Sequence, residues 1–66
     1  SKLLRFAMKG RIKAYSKDVN AGLIIADNGS SYIFPKKEWN GQKSPEVNKR
    51  VEFDQAADHA RNVVES

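Results

Sequence analysis

Residues 22–34 read GLIIADNGSSYIF and carry the strongest hairpin signal in the chain. The apolar run LIIA is followed by the pair Asn28-Gly29 and then by the triplet YIF. Asn-Gly readily takes the positive φ angles of a type I′ turn, so the stretch predicts two antiparallel strands joined by a tight turn. Pro35 has no N–H for a strand ladder and is expected to end the second of these strands or to lie at its edge.

Alternating apolar and polar residues on either side of this hairpin predict further strands. Between Leu4 and Ala14 the alternation gives one apolar or small face and one largely cationic face, which is typical of a strand with one buried side. Val51 and Phe53 indicate a fourth strand, and residues 60–64 indicate a fifth after a short polar bend. The apolar or small positions of the first strand are Leu4, Phe6, Met8, Gly10, Ile12 and Ala14.

Residues 36–46 form a polar connection, with a single turn expected around Lys36 to Trp39 and with Trp39 holding the connection onto the body of the protein. Five short strands in this order favour a closed barrel, because closure removes the strand edges that would otherwise pair with other chains. We therefore predict an all-β fold, a small five-stranded antiparallel barrel. A chain of 66 residues is long enough for one such domain.

Charge is distributed unevenly along the chain. The formal net charge is +4, and every charged residue before Asp18 is basic, whereas acids prevail from Glu46 onward. A basic end of the molecule favours a polyanionic partner, since binding to a phosphate backbone releases counterions. The alternative is a solvated surface that serves solubility alone. The basic residues that precede Asp18 are Lys2, Arg5, Lys9, Arg11, Lys13 and Lys17.

The composition also sets limits on compartment and chemistry. The chain has no cysteine, so we expect neither a disulfide framework nor a thiolate metal site, and a reducing cytoplasm is the natural location. No run approaches the roughly 18 apolar residues that a membrane span needs. The single His59 has no second ligand or nucleophile nearby, and the acids are scattered one at a time. We expect no enzymatic activity, catalytic residue, metal, cofactor or small-molecule substrate, and we expect a monomer.

Five segments together resemble the cold-shock domain family. They are GRIKAY (10–15), GLI (22–24), DNG (27–29), RVEF (50–53) and ARNV (60–63). The resemblance implies an OB-fold barrel over residues 9–66 that binds single-stranded RNA or DNA. Residues 1–8 would then be an N-terminal extension that continues the first strand.

Most aromatic residues that this family uses to hold nucleic acid are replaced. The aromatic, glycine, aromatic pattern of the second strand is AGL (21–23), and the Phe, one residue, His pattern of the third is IFP (33–35). Ala14 takes the place of a tryptophan, and Lys36 takes the place of a further aromatic residue. Tyr15 is the retained member of the aromatic pair in the first strand.

A second set of residues is similar to a divergent group of bacterial cold-shock-like modules, some of them joined to small membrane domains. In that group a Tyr, one residue, Phe pattern and a Glu-Trp pair replace the usual motif. This chain has Tyr32-Ile33-Phe34 and Glu38-Trp39 at the matching positions.

Binding of a single strand by an OB barrel needs cations for the phosphates and aromatic faces for the bases, each base stack contributing about 1–3 kcal/mol. We therefore expect weak, low-specificity binding of single-stranded RNA or DNA. The alternative is a protein-interaction or adaptor module, which exposed Ala14, Leu23 and Ile33 at the former binding face would support. The candidate nucleic-acid-binding residues are Lys9, Arg11, Lys13, Tyr15, Lys17, Tyr32, Lys36 and Lys37.

Overall fold

Five β-strands form a closed barrel in a computed structural model that describes residues 7–66. Around the barrel the strands follow the order β1-β2-β3-β5-β4, which makes it an OB-fold-like barrel and confirms the predicted fold class. The prediction that residues 1–8 extend the first strand lies mostly outside the described residues. The strands are β1 (Met8–Ser16), β2 (Ala21–Ala26), β3 (Ser31–Pro35), β4 (Arg50–Ala56) and β5 (His59–Glu65), and a 3₁₀ turn (Lys36–Glu38) follows β3.

The barrel closes through one parallel pairing. Ile33 of β3 lies beside His59 of β5 in parallel, whereas the other neighbouring strands are antiparallel. The closure therefore differs from that of a purely antiparallel barrel. Within residues 7–66 no helix is long and apolar enough to cross a membrane.

The core is apolar and receives side chains from every strand. Burying each of the larger side chains contributes about 1.5–3 kcal/mol, so the inward rows of the five strands supply the main stabilisation of a chain that has no disulfide. The buried hydrophobic residues that form this core are Ile12, Ile24, Ala26, Phe34, Val51, Phe53, Ala60 and Val63.

The turn between β2 and β3 is a hairpin turn, but it is not type I′. Gly29 has a φ of +93°, while Asn28 is not among the residues with positive φ. Gly29 N–H donates to Ala26 O at 2.8 Å, and Asn28 Oδ1 accepts from Ser30 N–H at 2.9 Å. The Asn28 side chain thus supports a turn in which Gly29 alone takes the left-handed conformation. The prediction of a hairpin is confirmed and its predicted turn type is wrong.

A β-bulge in β1 reverses part of the predicted face. Ile12 lies opposite Ile24, but Ala14 lies opposite Leu23, so Lys13 is an extra residue in β1. Strict alternation places Ala14 on the buried face with Ile12, and this expectation is wrong because the bulge turns Ala14 outward, where it is exposed.

The residue after Ala14 turns inward as a result of the bulge. Tyr15 lies opposite Gly22, and Gly22 lies opposite Phe34, so the three residues form one inward row. The Tyr15 and Phe34 rings stack with centroids 6.2 Å apart. Gly22 is buried, and a Cβ at that position would lie 2.4 Å from Phe34 Cε1 and Cζ. Absence of a side chain at Gly22 is therefore what lets the Phe34 ring fill the barrel.

The Gly22→Ala variant should lose about 1–3 kcal/mol of unfolding free energy, because the added methyl group overpacks the core against the Phe34 ring. Urea denaturation followed by circular dichroism measures this loss. Phe34→Leu tests the cause: if the clash is responsible, this substitution costs less in the Gly22→Ala background than in the parent. Strictly additive losses would contradict the explanation.

The connection after β3 is fastened to β5, as predicted for Trp39. Trp39 forms a parallel bridge with Val63, and Asn40 N–H donates to Val63 O at 2.8 Å. Trp39 Nε1–H donates to Lys43 O at 2.7 Å, and its ring lies 6.4 Å from that of Phe34. The predicted turn around Lys36 to Trp39 and the predicted packing of Trp39 are confirmed.

A second bulge, in β5, gives Glu38 a structural role. Glu52 lies opposite Val64 and Asp54 opposite Arg61, so β5 carries an extra residue, and Asn62 there has a φ of +52°. The Asn62 N–H is directed out of the ladder and donates to Glu38 Oε1 at 3.1 Å. The 3₁₀ turn and the bulge therefore stabilise each other.

The Glu38→Ala variant should remove the acceptor of the Asn62 N–H, whereas Glu38→Gln keeps a side-chain oxygen there. We expect faster hydrogen exchange at the Asn62 amide in the alanine variant and a stability loss of about 1 kcal/mol. Exchange measured by NMR on both variants checks this. Equal Asn62 exchange rates in the two variants would show that Glu38 is not the acceptor that matters.

Candidate functional site

The solvent side of β1, β2 and β3, called the outer face below, brings three predicted cations together. Lys9, Arg11 and Lys13 follow one another at alternate positions of β1 and are all exposed. The residues between them, Gly10 and Ile12, are buried. Alternation puts Lys9 and Arg11 on the same side of β1, and Lys13, the extra residue of the bulge, is exposed next to them. The three cations are called the basic strip below.

Beside this strip lies an apolar row that crosses three strands. Ala14, Leu23 and Ile33 are opposite one another in register, and Ile33 is 57% exposed. A neighbouring row holds Arg11 opposite Ile25, so the cations adjoin aliphatic surface directly. The resemblance described above predicts aromatic side chains at these three positions. This chain has aliphatic side chains there instead.

The outer face continues past this row toward the 3₁₀ turn. Ala21 lies opposite Pro35, after which Lys36 and Lys37 follow, both exposed. Lys36 N–H donates to Asn20 O at 2.8 Å, which brings the turn between β1 and β2 against the 3₁₀ turn. The same β1–β2 turn carries the predicted Lys17.

The six predicted cations form no ion pair in the described part of the chain, although Lys9 lies opposite Glu52 of β4. Among residues 7–66, none of them lies within ion-pair distance of a carboxylate. The nearby carboxylate of Asp27 instead pairs with Arg50 at 3.0 Å, and Lys49 pairs with Glu65 at 3.5 Å. The unpaired cations are Lys9, Arg11, Lys13, Lys17, Lys36 and Lys37.

The two predicted tyrosines lie on inward rows, away from this strip. Tyr15 stacks on Phe34, and the Tyr32 ring packs against Phe53 with centroids 5.4 Å apart. Both tyrosines are half-buried against the core. Their contact with bases stays a prediction. The bulge in β1 that directs Tyr15 inward has no signal in the sequence.

The length of the outer face suits a short stretch of single strand. From Lys9 to Ser16 the strand advances about 23 Å at roughly 3.3 Å per residue. OB folds contact about four or more nucleotides of a single strand, which is the scale of this surface.

Within residues 7–66 there is no group of three or more histidine, cysteine or acidic side chains that could hold a metal ion. His59 Nδ1 lies 3.5 Å from Asp58 Oδ1 at an exposed turn.

Neither a scan against protein-family models nor a search of curated proteins finds a match to this sequence. The proposed function therefore rests on the chemistry of the outer face.

Proposed function

We propose that this chain is a divergent cold-shock-like OB-fold domain that binds single-stranded RNA or DNA weakly and with little sequence preference. The observation that carries the proposal is the basic strip of Lys9, Arg11 and Lys13, which is exposed, forms no ion pair within residues 7–66 and adjoins aliphatic surface, with Arg11 opposite Ile25. Phosphates of a single strand contact the strip while its bases lie over the aliphatic side chains. The domain acts as a monomer and performs no catalysis.

Electrostatic attraction supplies most of the affinity in this proposal. The positions facing the bases, Ala14, Leu23 and Ile33, have no π-system, and each missing stack forgoes about 1–3 kcal/mol. Contacts with the phosphates do not depend on base identity, which accounts for low sequence preference. Binding should therefore weaken steeply as salt is added.

Replacing two lysines of the strip should lower the salt dependence of binding. For Lys9→Gln/Lys13→Gln, we expect weaker binding of a fluorescent oligonucleotide and a slope of log K against log salt that is smaller by about 1.4, since each lost contact with a single strand contributes about 0.7. Fluorescence anisotropy at several salt concentrations measures both quantities.

Lys43→Gln/Lys49→Gln is the control, because it removes the same formal charge from the connection between β3 and β4; unlike Lys9 and Lys13, Lys49 pairs with Glu65. This double substitution should leave the slope nearly unchanged. Equal reductions by both pairs would mean that only net charge matters, and a parent protein that binds no oligonucleotide at low salt would refute the proposed function.

Restoring one aromatic residue on the apolar row should strengthen binding. Ile33→Phe places a ring on the outer face, and a single base stack of about 1–3 kcal/mol corresponds to roughly 5- to 140-fold tighter binding. Val47→Phe is the control, since Val47 is 54% exposed and Ile33 57%, but Val47 lies in the connection before β4. Equal effects of the two variants in anisotropy titrations would contradict base contact at Ile33.

The exposure of Ile33 also favours a second candidate, a protein-interaction module. Ile33 lies beside Leu23 and the exposed Ala14, and contiguous apolar surface marks partner sites on soluble proteins. This candidate takes precedence if the folded parent fails to bind single-stranded RNA and DNA at low salt. Under the first candidate, Ile33→Lys adds a cation to the face and should strengthen oligonucleotide binding.

A further inference from the structure

A depression lies at the end of the outer face, where β3 passes into the 3₁₀ turn. It is lined by Asn20, Pro35, Lys36, Lys37 and Trp39. Pro35 occupies the last row of the outer face, opposite Ala21, so the depression continues the surface on which Leu23 and Ile33 lie. A strand of nucleic acid that follows the outer face to its end at Pro35 therefore reaches this depression.

The indole of Trp39 is held rigidly at this place. Its Nε1–H donates to Lys43 O at 2.7 Å, and its ring is tilted by 39° against that of Phe34. The backbone of Gly41 lies directly against the ring, where a Cβ would be 2.4 Å from Trp39 Cζ2. A ring that is already fixed loses little conformational freedom when a ligand stacks on it.

The charge around the depression is positive. None of its five lining residues is acidic, and two of them are lysines without an ion pair among residues 7–66. The adjacent Glu38 forms no ion pair with either lysine within residues 7–66, and its carboxylate accepts the Asn62 N–H on the β5 side. An anionic ligand is therefore favoured here.

We propose that Trp39 and Pro35 form a stacking site for one nucleobase of the bound single strand, with Lys36 and Lys37 holding the adjoining phosphates. The inference rests on the proposed function and adds to it an aromatic contact outside the barrel strands. Stacking on the indole replaces part of the stacking energy that the aliphatic row does not supply. It keeps sequence preference low, because any base can stack on an indole.

The surface suits a base better than a peptide. The donor of the indole is already used by Lys43 O, and Pro35 has no N–H, so the apolar floor presents faces and no hydrogen-bonding edge. Peptides that bind in extended form rely on main-chain hydrogen bonds, whereas a base stacks through its π-face. An acidic peptide is thus the less favoured occupant.

The fluorescence of Trp39 tests this site directly, because it is the one tryptophan of the chain. The probe is a thymidine oligomer of about eight nucleotides, within the site sizes known for OB folds. Its binding is followed twice, by anisotropy of an end-labelled copy and by tryptophan emission with the unlabelled copy. We expect saturable quenching with the same Kd in both, and no quenching by an abasic oligomer of the same length, which keeps the phosphates and lacks the bases.

The outcomes separate the two proposals. Anisotropy that reports binding without quenching overturns the stacking site and leaves the proposed function intact. Absence of binding in both measurements overturns both. Quenching by an oligoglutamate peptide at the same concentration as by the thymidine oligomer overturns the choice of a base as occupant.

Variants at the site give a second test. Trp39→Leu should weaken binding about 5- to 140-fold, the equivalent of one base stack, while Trp39→Phe keeps most of the affinity. Lys36→Gln/Lys37→Gln, which changes only exposed side chains, covers the case in which Trp39→Leu does not fold. It should weaken binding and reduce the quenching at saturation, whereas Lys43→Gln/Lys49→Gln should do neither, and equal effects of the two pairs overturn the site.

Discussion

The packing of the Phe34 ring over Gly22 is the contact on which both the barrel and its surface depend. Phe34 is fully buried, and the rings of Tyr15 and Trp39 rest on it from two sides, at 6.2 and 6.4 Å. Tyr15 can reach it only because β1 bulges at Lys13, and the same bulge turns Ala14 to solvent. Trp39 reaches it because the 3₁₀ turn folds back against β5. One core ring thus determines where the apolar row begins on the outer face and where the connection after β3 lies.

The outer face combines two features that are usually separated on protein surfaces, unpaired cations and aliphatic side chains. Of the two acids near the basic strip, Asp27 pairs with Arg50, whereas Glu52 lies opposite Lys9 without forming an ion pair with it. The strip therefore has a positive electrostatic potential. Beside it, Leu23 is only half-buried and Ile33 is exposed, so a partner that covers them buries apolar surface. A flexible polyanion with apolar faces satisfies both requirements at once, which is the physical reason for preferring a single strand of nucleic acid to a folded acidic protein.

Much of this architecture could be predicted from sequence, and the reasons for the failures are local. The strands around Ile12, Phe34 and Phe53 follow from alternation, since period-2 patterns report a half-buried sheet directly. The bulge at Lys13 could not be predicted, because no residue type in β1 marks the extra residue. Its effect is to move Ala14 to the other side of the strand. The predicted type I′ turn at Asn28-Gly29 is wrong, because the Asn28 side chain accepts a hydrogen bond from Ser30 N–H and Asn28 needs no positive φ. The exposure of the cations could be predicted from the sequence. Their lack of an ion pair could not, because it depends on contacts between residues distant in sequence, such as that of Asp27 with Arg50.

The parallel pairing of β3 with β5 joins residues distant in sequence, and in the described chain it runs through Ile33 with His59 and, just beyond, Trp39 with Val63. Such a seam forms only after a long loop has closed, and the entropy lost in closing that loop opposes its formation. Ile33 and Trp39 flank the seam on its β3 side. A ligand that contacts both residues binds the closed barrel more tightly than the opened one. It would therefore slow local opening and raise the free energy of unfolding of the whole domain.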